Sequence, residues 1–368
     1  MHRFGFVLEQ TLGHVAHGRN IERALKSEPQ IQPTVIRVDY NNASGLNRLP
    51  GLRTWSWRAS LTARNALRDC LRQGPLDALF IHTQVVALQA AEIMRSVPTV
   101  VSLDATPRLF DREGKAYGHR RSPAPFEMLK RQVNVRTFAN AARIVAWCQW
   151  AAYSLVSEYG VPVDKIDVIP PGVDLSLFRP SLLGKSSERV RILFVGGQFE
   201  RKGGPDLIEA VRGLGADVEL DLVTSSEVPA IPAGVRARIH RGLQPQSEAL
   251  VALYRAADIF VLPSRGDCMP QAVTEALACG LPVVATRVGA IPEMVTDGVN
   301  GYLVRAHDPR ALAGAIASLV RSPSRRHAMG RWSRVLAQQE FDAERNNRRI
   351  FSLMKGLTIQ RMTDARSA

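Results

Sequence analysis

Residues 192–210 read ILFVGGQFERKGGPDLIEA. Four apolar residues end at Gly196 and Gly197, and a second glycine pair, Gly203 and Gly204, stands before Pro205. The apolar run reads as a buried strand, the glycines as a turn and Pro205 as a helix start, where a missing N–H leaves nothing unpaired. Gly196 and Gly197 let backbone approach a ligand closely. Arg201 and Lys202 sit on the same turn. Positive charge beside exposed amides suits a phosphate-bearing ligand, although a glycine turn after a strand is by itself common to many tight connections.

The strand–turn–helix pattern spreads in both directions. FGFVLEQ, TVIRVDY, LDALFIHT, PTVVSLDAT and ARIVAWC in the first half read as buried strands, as do RVRILFVGG, DVELDLVT, VRARIHRG, DIFVLPS and LPVVATRVG in the second. Helix-like stretches such as ASLTARNALRDCLRQ and VVALQAAEIMRS lie between some of them. Near-continuous apolar strands with helical crossovers predict parallel sheets covered on both faces. The expected fold is α/β with two doubly wound, Rossmann-like domains facing a cleft. The expected boundaries are 1–170, a linker over 171–188, 189–340, and a basic C-terminal helix over 341–368 that packs back on the first domain. Ligands of such sheets bind at the carboxyl ends of strands.

With 368 residues, 45% hydrophobic and 22% charged, the chain has the size and balance of a two-domain soluble protein. No apolar run is long enough to span a bilayer, and MHRFGFVLEQTLGHVAHG lacks the pattern of a secretion signal. Cys70, Cys148, Cys268 and Cys279 form no C-x-x-C pair, which favours reduced thiols and a cytoplasmic location. Net charge is +14, divided as +8 over residues 1–170, −1 over 171–320 and +7 over 321–368. Basic stretches such as RLFDREGKAYGHRRSPAPFEMLKR suit an anionic membrane surface or a solvated face. Nucleic acid is disfavoured, because aromatics make up only 6% and no nucleic-acid-binding signature is present.

Residues 265–280, RGDCMPQAVTEALACG, place Asp267 ahead of a helix predicted from Pro270 to Cys279, with Gly280 as its C-cap and Glu275 about two turns in. An N-terminal helix end can hold a phosphate. Taken alone, the stretch is better read with Asp267 as a cap and Glu275 as a solvated surface acid.

Taken together, VIPPGVDLSLF, FVGGQFERKGGPDLIEA, RGDCMPQAVTEALACG and ATRVGAIPEMVTDGVNGYLV resemble the C-terminal half of the family-four retaining glycosyltransferases, which have the GT-B fold. The resemblance is dense from about Val168 to Leu319, and the first half matches in architecture and a few short pieces. It implies that Glu275 binds ribose hydroxyls, and that Asp267, in place of the family's first glutamate, contacts the donor sugar. The backbone around Met269, Pro270 and Gln271 would frame sugar and phosphates, although Pro270 offers no N–H. Lys202 matches the lysine that steadies the diphosphate. Gly197 stands where the family often has an arginine, which leaves Arg201 as the substitute. Gly13 resembles the glycine of a loop over the diphosphate, and Asp104 lies at the catalytic-side position near the acceptor. Gly196 completes the donor turn.

What the resemblance implies is transfer of a sugar from a nucleotide-diphosphate sugar to a saccharide or lipid-linked acceptor, with retention, in envelope or exopolysaccharide synthesis. A GT-B epimerase and a weakly active sugar-nucleotide-binding protein remain alternatives. No cofactor is expected. No metal is expected either, since the chain contains no Asp-x-Asp and Lys202, Arg201 and a helix N-terminus can neutralise a diphosphate. His14 and His17 have a spacing metals can use, but read better as loop residues. Asp104 could equally cap a turn. Cys268 reads as packing, His119 as part of a basic loop, and Arg265 as the ion-pair partner of Asp267 or a further phosphate contact.

Overall fold

The computed structural model describes every residue except 12, 40–54, 119–121, 182–188, 215–216 and 368. His119 lies outside the described residues. The first sheet contains β1 (His2–Glu9), β2 (Ile31–Val38), β3 (Ala78–His82), β4 (Thr99–Leu103), β5 (Arg143–Ala146) and β6 (Ile166–Val168), in the order β2-β1-β3-β4-β5-β6. The second contains β7 (Val190–Val195), β8 (Val218–Val223), β9 (Ala237–His240), β10 (Ile259–Leu262), β11 (Val283–Thr286) and β12 (Gly301–Val304), in the order β12-β11-β10-β7-β8-β9. Neighbouring strands are parallel throughout. β3, β4, β10 and β11 are buried at every position, so their sequences show no alternation. The doubly wound sheets expected from the sequence are present. β6 and β12 were not among the expected strands.

Strand order reverses between β1 and β3 in one sheet and between β7 and β10 in the other. On either side of such a point the chain leaves in opposite directions, which opens a crevice at the carboxyl ends of the two strands. Each sheet therefore has one such crevice at the carboxyl ends of its strands.

The described chain packs as two units. One takes in 1–110, 121–171 and 343–368; the other takes in 111–120 and 172–342. The core of the first joins Phe4, Phe6, Leu8, Phe80, Val100 and Val145 to Ile350, Phe351 and Met354 of the last helix, Ala343–Ser367. Phe6 and Phe351 meet edge to face at 5.9 Å. Burying each such side chain contributes about 1.5–3 kcal/mol. In the second unit Phe178 packs edge-on against Tyr254, which stacks on Phe260. Val173 N–H donates to Phe341 O at 2.8 Å, so residues 172–181 are held against this unit. All four cysteines are buried and none forms a disulfide, including Cys268 inside the 265–280 stretch.

Candidate functional site

In the second unit the β7 and β10 ends bring Arg201, Lys202 and Asp267 together. Gly196 permits this, because a Cβ there would lie 2.8 Å from the Lys202 stem. Gly203 has φ +78°, and its Cβ would lie 1.9 Å from Pro263 O on the neighbouring loop, so only glycine closes the turn against β10. Lys202 Nζ and Asp267 Oδ2 form a short ion pair, and Arg201 stands 3.9 Å from the same oxygen. Asp267 is buried, and Ser264 Oγ donates to it at 3.3 Å. The Arg201 guanidinium donates to Gly266 O at 2.8 Å and lies 4.3 Å over the Tyr117 ring. A Cβ at Gly197 would meet only Ser225 Oγ, at 3.5 Å, so nothing in the backbone excludes a side chain there.

The helix after Asp267 runs Gln271–Ala278, with Pro270 as its N-cap at ψ 116° and Gly280 beyond it at φ +69°. Met269 and Pro270 are buried, and Gln271 Nε2 has no hydrogen-bond partner. Glu275 is not a solvated acid. It is buried, accepts a hydrogen bond from Tyr254 Oη at 2.8 Å, and burial raises its pKa to about 7. Arg265 does not serve Asp267 either. It pairs with Asp206 at 2.7 Å and with Glu200 at 3.4 Å, because Lys202 already occupies the Asp267 carboxylate.

Sequence reasoning missed Glu113 and Tyr117, which lie far from the motif in the chain. The Glu113 carboxylate accepts the backbone N–H groups of Asp267 and Gly289. Burial, and then the Asp267 charge, push its pKa up.

In the first unit the β1/β3 switch point gathers a different set. Glu9 ends β1 and His82 ends β3. His14 and His17 lie on the helix His14–Leu25, for which Gly13 is the N-cap at φ −68°, rather than on a loop. His14 Nδ1 and His82 Nε2 are 2.9 Å apart, and His14 Nε2 lies 4.0 Å from Glu9 Oε1. The Thr83 hydroxyl donates to Glu9 Oε2 at 2.6 Å. His82 stacks on Trp147 with centroids 5.1 Å apart. Neither ring nitrogen of His17 has a hydrogen-bond partner. Burial lowers the His17 pKa to about 3, and lowers that of His82 well below the usual histidine value. Burial raises the pKa of Asp104, while His14 opposes the rise. The Asp104 carboxylate accepts the backbone N–H groups of Asp104 and Ala105, so it caps the turn after β4 and also stands within electrostatic reach of His14 and Glu9. Among the described residues no group of three or more His, Cys, Asp or Glu side chains is arranged to hold a metal ion.

Two Rossmann-like sheets, each with polar groups collected at its switch point, define an α/β chain of the GT-B fold. Residues 13–177 match the family model described as Glycosyltransferase Family 4, and residues 189–322 that described as Glycosyl transferases group 1. The chain belongs to this family of glycosyltransferases. It is 33% identical over 224 residues to a D-inositol 3-phosphate glycosyltransferase of Paenarthrobacter aurescens, a match covering 55% of each chain. It therefore spans about half the length of the first curated relatives it matches. A protein of the same name from an Arthrobacter species is 28% identical over 352 residues, covering 88% of this chain and 82% of its own. Among solved structures, sucrose-phosphate synthase of Thermosynechococcus elongatus superposes with a TM-score of 0.78 at 18% identity, covering 98% of this chain and 100% of that one. Anabaena HepE, solved in complex with UDP and glucose, gives 0.71 at 18% identity, covering 97% of this chain and all of its own. These structural likenesses are likenesses of fold.

Proposed function

We propose that this chain transfers a sugar from a nucleoside-diphosphate sugar to a hydroxyl of a polyol or saccharide acceptor, with retention at the anomeric carbon. The observation that carries this reading is the convergence of Lys202 and Arg201 on Asp267 at the β7/β10 switch point. Lys202 and Arg201 set two cations against the Asp267 carboxylate, and burial favours the neutral form of the neighbouring Glu113. A bound diphosphate takes Lys202 from Asp267, and the freed carboxylate then accepts sugar hydroxyls. As the sugar bond breaks, negative charge grows on the leaving oxygens, and preorganised cations stabilise it most at that moment. Neutralisation by Lys202 and Arg201 requires no metal ion. Glu275 keeps one oxygen for ribose hydroxyls while Tyr254 holds the other. The acceptor hydroxyl attacks the face from which the diphosphate departs, and the departing phosphate takes its proton. The names of the curated relatives and the UDP-glucose complex of HepE support this assignment of substrate class.

A thermal-shift panel of UDP-, GDP- and ADP-sugars tests it, followed by mass spectrometry of products with inositol phosphates and simple saccharides. One base should stand out, because a ligand at 100 times its Kd stabilises by about 2.7 kcal/mol. Donor binding with neither transfer nor hydrolysis would overturn the enzymatic reading and leave a sugar-nucleotide-binding protein.

A lipid-linked acceptor at an anionic membrane is a second reading, favoured by the helix Ala124–Asn140. Phe126, Met128 and Leu129 are exposed there beside Lys130 and Arg131. Arg120 and Arg121, from the basic stretch of the sequence, lie outside the described residues. No described helix is long and apolar enough to cross a membrane. Vesicles with anionic lipid should bind the chain at low salt and release it as salt rises, and Lys130→Gln with Arg131→Gln should weaken that binding. Unchanged vesicle binding in the double variant would remove this helix as the membrane face.

A further inference from the structure

The first unit contains an open cavity of about 970 Å³ that neither switch point accounts for. Arg143, which begins β5, and Lys165, which immediately precedes β6, line one side of it. The cavity thus opens at the amino ends of those strands, whereas Glu9 and His82 stand at the carboxyl ends of theirs. Arg345, Arg348 and Arg349 of the last helix line the other side. Their spacing of three and four residues puts all three on one face of that helix. They also account for part of the +7 carried by residues 321–368, a charge the donor chemistry does not use.

The basic side chains are held but not used up. Arg143 makes two hydrogen bonds to Asp167 Oδ2, at 2.9 and 2.7 Å. Lys165 Nζ donates to Ala139 O at 2.8 Å, and Arg349 donates to Val168 O at 3.2 Å. Arg348 pairs with Glu344 on its own helix. A guanidinium has five N–H donors and an ammonium three, so each keeps donors for a ligand. Asp164 and Asp167 are the carboxylates of the lining, against five cations. Burial lowers the Lys165 pKa, and Asp164 only partly opposes it.

We propose that this cavity binds a small, soluble, phosphate-bearing anion. Clustered arginines match the bidentate geometry of phosphate oxygens, which a lone carboxylate ligand could not engage from both walls. The volume is that of a small-molecule site. Ala142, Pro162, Ile169, Leu353 and Leu357 form its apolar part, and of these only the small Pro162 is exposed, which gives a lipid bilayer no large projecting anchor in this lining. The position, at the opposite ends of the strands from the β1/β3 cluster, makes the bound anion an effector or a stabiliser rather than a substrate.

Pyrophosphate titrated calorimetrically into the full chain tests this, with three proteins in parallel: wild type, Arg345→Gln with Arg348→Gln, and Lys202→Ala. Arg345 and Arg348 are exposed, so their replacement leaves the core intact, and thermal melting checks this. The cavity reading expects the arginine double variant to bind about tenfold or more weakly, while Lys202→Ala retains a site of wild-type affinity. Labelling of Lys165 by an amine-reactive reagent should fall when pyrophosphate is present. Binding lost only in Lys202→Ala, with Lys165 labelling unchanged, would assign all pyrophosphate to the donor site and overturn the proposal. So would the absence of pyrophosphate binding at millimolar concentration, or binding confined to phosphatidylglycerol vesicles.

Discussion

The cluster after β7 and β10 consists of charges held by backbone, whereas the cluster after β1 and β3 sets buried rings beside two carboxyl groups. In the first, glycines at 196 and 203 bring Lys202 and Asp267 into an ion pair. In the second, burial strips His17 and His82 of their charge, and only Glu9, Asp104 and His14 bring ionisable groups to the crevice edge. A site that meets a diphosphate needs standing charge. If the β1/β3 cluster receives the proposed acceptor, directed hydrogen bonds with little net field suit its hydroxyls.

The largest effect should come from breaking the charged cluster. Lys202→Ala should lower kcat by about 10²–10³-fold, the scale of losing one preorganised charge contact, and Arg201→Ala should cost comparably if it stands in for the arginine missing at Gly197. Steady-state kinetics with a saturating donor would measure both. Near-normal turnover in each would mean that standing charge is not what separates the two clusters.

Acidification should pull the two units in opposite directions. Glu275 has its folded-state pKa raised to about 7, so its contribution to stability is fully present below the unfolded carboxyl value and is lost as pH rises to 7. His17 has its folded-state pKa lowered to about 3, so its contribution is present above the unfolded histidine value and is lost as pH falls. Between pH 7 and pH 5 each is worth about 2 kcal/mol, with opposite sign. Relative to wild type, Glu275→Gln should therefore lose stability on acidification over that range, and His17→Phe should gain it. Denaturant titrations at the two pH values decide this, and parallel curves for all three proteins would show that these burials do not control pH dependence.

A smaller change tests whether the β1/β3 cluster receives the proposed acceptor. His14→Gln should raise acceptor KM by about tenfold, the value of one hydrogen bond to a polar ligand, while donor binding stays intact. A loss of donor affinity instead would place His14 with the diphosphate, alongside the Gly13 turn.

These clusters differ equally in how far the sequence reveals them. The strand, glycine turn and proline start of 192–210 are legible because backbone closure dictates those residue types, and 265–280 is legible because helix ends do. The β1/β3 set is assembled by topology from residues 9, 14, 17, 82, 104 and 147, and no local pattern links them. His14 and His17 read as loop residues because a helix that begins at a glycine N-cap has no side-chain cap to announce it. Glu275 read as exposed because a helix buried on nearly every side has no polar stripe to compare it with. β6 escaped notice because three residues are too few to show a period, and VVALQAAEIMRS read as one helix although it forms two, Gln84–Ala87 and Ala91–Ser96. Arg265 pairs with Asp206 and Glu200 rather than Asp267, because adjacency in sequence says little about which carboxylate a long side chain reaches.

The last helix has a consequence for the order of synthesis. Phe6 and Phe80 emerge from the ribosome early, yet part of their packing comes from Ile350, Phe351 and Met354. Residues 172–342 are complete before that helix exists, so the second unit can close while the first still has an apolar face open to water. The first translated half is thus the last to finish folding, and for most of its time on the ribosome it presents the kind of surface that chaperones hold.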